Sequence, residues 1–150
     1  MLKRTLILCL MVLIHFACQK DSDENDWKNC TGCSTGNWLG AWSGPAEHFD
    51  AHTSETTSGL TAQLEINETG TDYLTLSFQI PGVFSTTLSG EVHPGDNISL
   101  ASTSASVLGT LYVNGAQYKI EGTAKKFHYK VDSLIIDQVV TFQAFRNDDQ

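Results

Sequence analysis

From Trp38 onward the chain alternates apolar and polar residues in short runs, and no window carries a sustained apolar period of 3.6. The clearest run is Tyr73 to Ile80. Leu74, Leu76, Phe78 and Ile80 fall on one face, and Tyr73, Thr75, Ser77 and Gln79 on the other. The run before it repeats the logic, with Leu60, Ala62, Leu64 and Ile66 inward and Thr61, Gln63, Glu65 and Asn67 outward. Eight such runs are expected, at about 38–49, 60–67, 73–80, 83–92, 97–103, 106–113, 116–125 and 133–145. Turn chemistry separates them. Pro81-Gly82 suits the centre of a type II turn, and Asn114-Gly115 suits a primed hairpin turn.

Short connections between runs predict an antiparallel meander, and a meander must hide its two edge strands. The expected fold is therefore all-β, a small up-and-down β-barrel of about eight strands, with a β-sandwich as the alternative. Gly90, Gly109 and Gly122 fall in or beside the runs, where glycine marks bends that let a sheet coil. The inward set includes Trp42, Leu64, Leu76, Phe78, Phe84, Leu111, Ile120, Leu134, Ile136, Val140 and Phe142. The polar stretch Asp50 to Gly59 is expected to be a long loop over one end.

The first residues follow another pattern: Lys3 and Arg4, an apolar run from Leu6 to Ile14, then Ala17 before Cys18. The run is shorter than the roughly 20 residues that span a bilayer, so it predicts a removable signal. Its end resembles the lipobox of bacterial lipoproteins, which implies cleavage after Ala17 and acylation of Cys18. Asp21, Asp23 and Glu24 follow, and Gln19 to Glu24 resembles the acidic export signal of surface lipoproteins of the Bacteroidetes. These resemblances imply a protein anchored in the outer membrane by lipid and displayed on the cell surface, with a periplasm-facing anchor as the alternative. The implied division is 1–17 signal, 18–36 acidic tether, 37–146 domain and 147–150 tail.

Losing Lys3 and Arg4 takes the formal net charge from −8 to −10, which opposes nucleic-acid binding. Loss of Cys9 with the signal and acylation of Cys18 leave Cys30 and Cys33 as a pair, and an even pair outside the cytoplasm predicts a disulfide. Ser34 stands where covalent haem attachment needs histidine.

Gly40-Ala41-Trp42 at the start of the first run and Arg146 at the end of the last occupy the places of a lipocalin's Gly-x-Trp and terminal arginine. On this and the strand pattern, residues 37–146 resemble the lipocalin-like, or calycin, barrels. The resemblance implies a structural role for Gly40, Trp42 and Arg146, with the guanidinium stacked on the indole. It also gives the 50–59 stretch the place of a lid.

Catalytic machinery is not expected. The chain has no Gly-x-Ser-x-Gly elbow and no phosphate loop leading into a helix. Glu47, His48, Asp50 and His52, with Glu55 and His93, are conceivable metal ligands, but residues four apart on a strand lie about 13 Å apart, so neither a metal nor a cofactor is expected. Asn67-Glu68-Thr69 and Asn97-Ile98-Ser99 match a glycosylation sequon that is usually idle in bacteria, and Asp132-Ser133-Leu134 resembles a Bacteroidetes O-glycosylation motif. Two roles remain. One is a binding protein holding a small apolar ligand or glycan fragment in the barrel, with ligand residues unknown. The other is an accessory lipoprotein docking on an envelope protein without a cavity.

Cys18→Ala is expected to move the protein from the membrane to the soluble fraction on cell fractionation. Membrane retention of that variant rules out the lipid anchor.

Overall fold

The computed structural model describes residues 26–147. They form one antiparallel sheet of nine strands: β1 (Lys28–Asn29), β2 (Gly40–Asp50), β3 (Glu55–Gly70), β4 (Tyr73–Ile80), β5 (Phe84–Glu91), β6 (Asn97–Ala101), β7 (Ala105–Asn114), β8 (Gln117–Lys130) and β9 (Ser133–Arg146). A single 3-10 turn, Thr35–Trp38, leads into β2. The order across the sheet is β1-β7-β8-β9-β2-β3-β4-β5, with β6 also on β7, beside β1. All-β and antiparallel are as the alternation predicts. The count is nine, because Lys28 and Asn29 pair with Val113 and Tyr112.

The meander holds except at one place. β2 to β5 pair in sequence, β6 to β9 pair in sequence, and β9 returns to pair with β2. The sheet is therefore continuous between the two ends of the domain and open in the middle of the chain, between β5 and β6. Among the described residues no ladder joins those two strands, and the sheet is not closed into a barrel. The two edges still approach each other: a Cβ built on Gly90 of β5 would lie 2.9 Å from Leu100 Cδ2 of β6.

The inner face holds a single core that includes Trp42, Leu64, Ile66, Leu76, Phe78, Phe84, Leu111, Ile120, Val140 and Phe142. Burying each such large side chain contributes roughly 1.5–3 kcal/mol. The pairing register shifts at three places: between Ala46 and His48 of β2, between Glu68 and Gly70 of β3, and between Lys126 and Phe127 of β8, where the extra residue is Asp137 of β9. Leu134 and Ile136 were expected inside with the rest. Leu134 is exposed and Ile136 half-buried, because the extra residue Asp137 puts them on the outer face opposite Tyr129 and Phe127, in a hairpin that runs beyond its neighbours.

The stretch expected as a long loop is paired. Only Ala51 to Ser54 turn, and Glu55, Thr56 and Thr57 pair with Asp50, Phe49 and His48. Threonines suit strands, and the turn is closed by the Asp50 carboxylate, which accepts from the backbone N–H of His52 at 2.8 Å. At β7–β8, Asn114 pairs with Gln117 and Gly115 alone has positive φ, +59°, so the primed turn is centred on Gly115-Ala116.

Gly122 and Gly90 test the curl. A Cβ on Gly122 would collide with the Leu108 carbonyl oxygen and reach 2.9 Å from Phe142 Cζ, whereas one on Gly90 meets only the flexible end of Leu100. In denaturant titrations Gly122→Ala is expected to cost about 2–3 kcal/mol and Gly90→Ala about 1 kcal/mol or less.

Candidate functional site

The two ends of the sheet differ. The end with the β3–β4, β5–β6 and β7–β8 turns also receives the Thr35–Trp38 turn, and it is plugged. Trp42 on β2 pairs across the ladder with Arg146 on β9. The Arg146 guanidinium carbon lies 5.1 Å from the Trp42 ring centre and 4.7 Å from that of Tyr118. Its Nη2 donates to the carbonyls of Asn37 at 2.6 Å and Leu39 at 3.0 Å. Trp42 Nε1 donates to the carbonyl of Trp38 at 3.0 Å, and Asn37 Nδ2 donates to the Tyr118 hydroxyl at 3.2 Å. Gly40, at φ +115°, turns the chain from the 3-10 turn into β2. One cation thus ties the approach to the first long strand to the end of the last.

The N-terminal arm closes this end from outside. Cys30 and Cys33 are bonded, with 5.3 Å between their Cα atoms, and the Cys30 N–H donates to the Leu111 carbonyl at 2.9 Å. Trp27 packs edge-on to Phe145 at 6.0 Å, and Lys119 Nζ sits 4.9 Å from the Trp27 ring centre and 5.1 Å from that of Tyr112. The folded domain therefore starts before residue 37: Lys28 and Asn29 pair with β7, the Cys30 N–H bonds to it, and Thr35 donates to Asp72 at 2.9 Å, so the described part of 18–36 packs on the sheet instead of forming a tether. Cys18, the signal and the acidic segment lie outside the described residues.

The opposite end carries all of the remaining polar candidates except His93, and it disperses them. Glu47 faces outward and accepts from Ser58 Oγ at 2.8 Å. His48 faces inward and is buried, its Nε2 without a partner. Glu55 is exposed on the β2–β3 hairpin, and His93 lies at the Arg146 end of the sheet. The close group is one that sequence reading did not find. Asp137 of β9 contacts His128 Nδ1 at 2.9 Å and His52 Nε2 at 3.4 Å. Among the described residues no group of three histidines, cysteines or carboxylates is arranged to hold a metal ion.

Among the described residues the largest concavity is on the outside. It measures about 700 Å³ and crosses the outer face of β2 to β5. Ser43, Gln63, Glu65, Ser77, Gln79 and Thr87 form its walls, while Trp42, Leu64 and Phe78 bound it only from beneath and are at most 3% exposed. Its polar groups largely satisfy one another, with Gln79 donating to Gln63 at 2.8 Å and Ser43 to Asn147 at 2.8 Å. A smaller concavity of about 350 Å³ lies at the β4–β5 turn, beside Lys126, whose Nζ is 5.0 Å from the Phe84 ring centre.

No protein-family model, curated protein or solved structure matches this chain.

Arg146→Lys keeps the charge but loses the planar fork that serves two carbonyls and two rings. It is expected to cost about 2 kcal/mol, read as a lowered unfolding midpoint in urea, with far-ultraviolet dichroism unchanged before the transition.

Proposed function

We propose that the chain is a lipid-anchored accessory protein of the bacterial cell envelope, held at the outer-membrane surface through Cys18, and that its domain docks on an envelope partner. The observation that carries the choice of docking over ligand carriage is the occupied inner face. Phe78 packs on Phe84 and Phe142 at ring-centre distances of 5.6 and 4.9 Å, with Trp42, Ile66, Leu74 and Leu111 at 1% exposure or less. A carrier of a small apolar ligand uses an empty apolar volume of about 300–1,000 Å³, and these rings stand where that volume would be.

We also propose that the domain is a lipocalin-like barrel. Support comes from the β2–β9 ladder, from the near approach of Gly90 to Leu100, and from Arg146 stacked on Trp42. In that reading the plug of Trp42 and Arg146 is structural, and the outer faces and rims are left for recognition. Among the described residues no metal set points to an enzyme. The barrel interior serves to hold the outer surface in shape.

The test pairs two measurements on the protein made in its own envelope. A photo-crosslinking residue in place of Leu108, which is 47% exposed on the outer face, is expected to give a discrete protein adduct in intact cells. Native mass spectrometry of the purified protein is expected to give the polypeptide with its anchor alone. A retained small molecule at one-to-one stoichiometry reverses the assignment and identifies the ligand by mass.

A further inference from the structure

The β8–β9 hairpin is longer than the sheet that supports it. The β7 ladder on β8 stops at Lys126, and the β2 ladder on β9 stops at Gln138. Beyond them, Phe127 pairs with Ile136, Tyr129 with Leu134 and Lys130 with Ser133, a two-stranded tip with no strand on either edge. Tyr129 is 66% exposed, Val131 87% and Leu134 50%. Exposed apolar residues at a projecting tip have no packing role in the domain.

Two further features set this tip apart. The first is charge. Residues 122–131 carry Lys125, Lys126, His128 and Lys130 and no carboxylate, in a chain whose formal net charge is −8. The acids nearest in sequence are Glu121, which pairs with Lys119 at 2.7 Å, Asp132, in the turn, and Asp137, which is engaged by His128 and His52. The second is backbone conformation. Val131 takes the first central position of the two-residue turn with φ +51°, a region that β-branched residues avoid and glycine accepts. An apolar side chain is therefore held at the apex, almost wholly in water, at a conformational cost that glycine would remove.

We infer that this hairpin tip is a membrane-docking element that inserts Tyr129, Val131 and Leu134 into the interface of an anionic lipid surface. Its lysines pair with the head groups. Lysine stems reach along apolar surface while the ammonium stays at head-group level, and tyrosine favours the same depth. A narrow convex tip suits a yielding bilayer interface better than the flat, broad patch that a stable protein interface requires. The cations explain how an acidic protein can approach such a surface by this tip.

The position of the tip gives the contact a purpose. Asp26 directly precedes Trp27, which packs on Phe145 at the Arg146 end, and the tip lies at the other end of β8, whose 14 residues run for roughly 45 Å. Eight peptide steps separate Asp26 from Cys18 and reach at most about 28 Å. On the lipoprotein reading, lipid anchor and tip are attachments at opposite ends. Engaging both lays the domain along the membrane.

The test does not depend on the anchor. Residues 18–150 carrying Cys18→Ala, purified without acyl groups, are sedimented with phosphatidylcholine vesicles containing about one-third phosphatidylglycerol, and with phosphatidylcholine alone. Binding is expected to the anionic vesicles only and to fall as salt rises. Lys125→Gln with Lys130→Gln is expected to lower partition about ten-fold. Val131→Gly is the decisive variant, since it should melt at a higher temperature than the parent while binding about ten-fold more weakly. Absence of sedimentation with anionic vesicles overturns the proposal, as does Val131→Gly binding like the parent. A parent protein that is dimeric in solution and made monomeric by Val131→Gly also overturns it, assigning the tip to a second copy of the chain.

Discussion

The ladder between β2 and β9 is the constraint on which the rest of the structure depends. Without it the domain would be two four-stranded meanders, β2 to β5 and β6 to β9, each with an apolar face and two bare edges. With it they become one coiled sheet around one core. Arg146 fixes that ladder at its end by a combination no other side chain offers: a flat cation between the Trp42 and Tyr118 rings, and donors aimed at two carbonyls of the Thr35–Trp38 approach. The arm before it adds a short strand to β7 and shields Lys119 beneath Trp27.

The inner and outer faces divide the work. Inside, large and small side chains alternate to fill the space: Phe142 and Val140 are set against Ala46, Ala62 and Ala124. Outside, β4 and β5 carry cross-strand hydroxyl pairs, Thr75 with Ser89 and Ser77 with Thr87, which keep the outer surface polar without charge. A Cβ on Gly122 or Gly44 would meet the backbone of a neighbouring strand, so the bends there are written into the chain as missing side chains.

Much of this was legible in the residues. Period-two alternation placed β4 to its ends and β5, β7 and β9 within a residue or two, since each has one wet and one dry face. The stacked pair Trp42 and Arg146 was legible through resemblance. What escaped has identifiable causes. Phe127 and Tyr129 lie out of phase with the inward Ile120 and Ala124, on the outer face, so the alternation expected of β8 breaks off at residue 125; the extra residue that shifts the register there is Asp137 of β9. Glu55 to Gly59 is polar on both faces because neither face of that stretch is buried, so it read as loop. His52 and His128 meet Asp137 across two separate hairpins, a proximity that no local spacing encodes.

The Arg146 contact with Asn37 spans 109 positions of the chain. A protein delivered N-terminus first presents the Asn37 and Leu39 carbonyls and the Trp42 ring long before their partner arrives. Only local pieces, the Cys30–Cys33 clip and single hairpins, can form during that interval. The domain has a high contact order by construction, and its last step waits for the final strand. Because the chain is made from its N-terminus, the sheet cannot lock until nearly all of it has emerged.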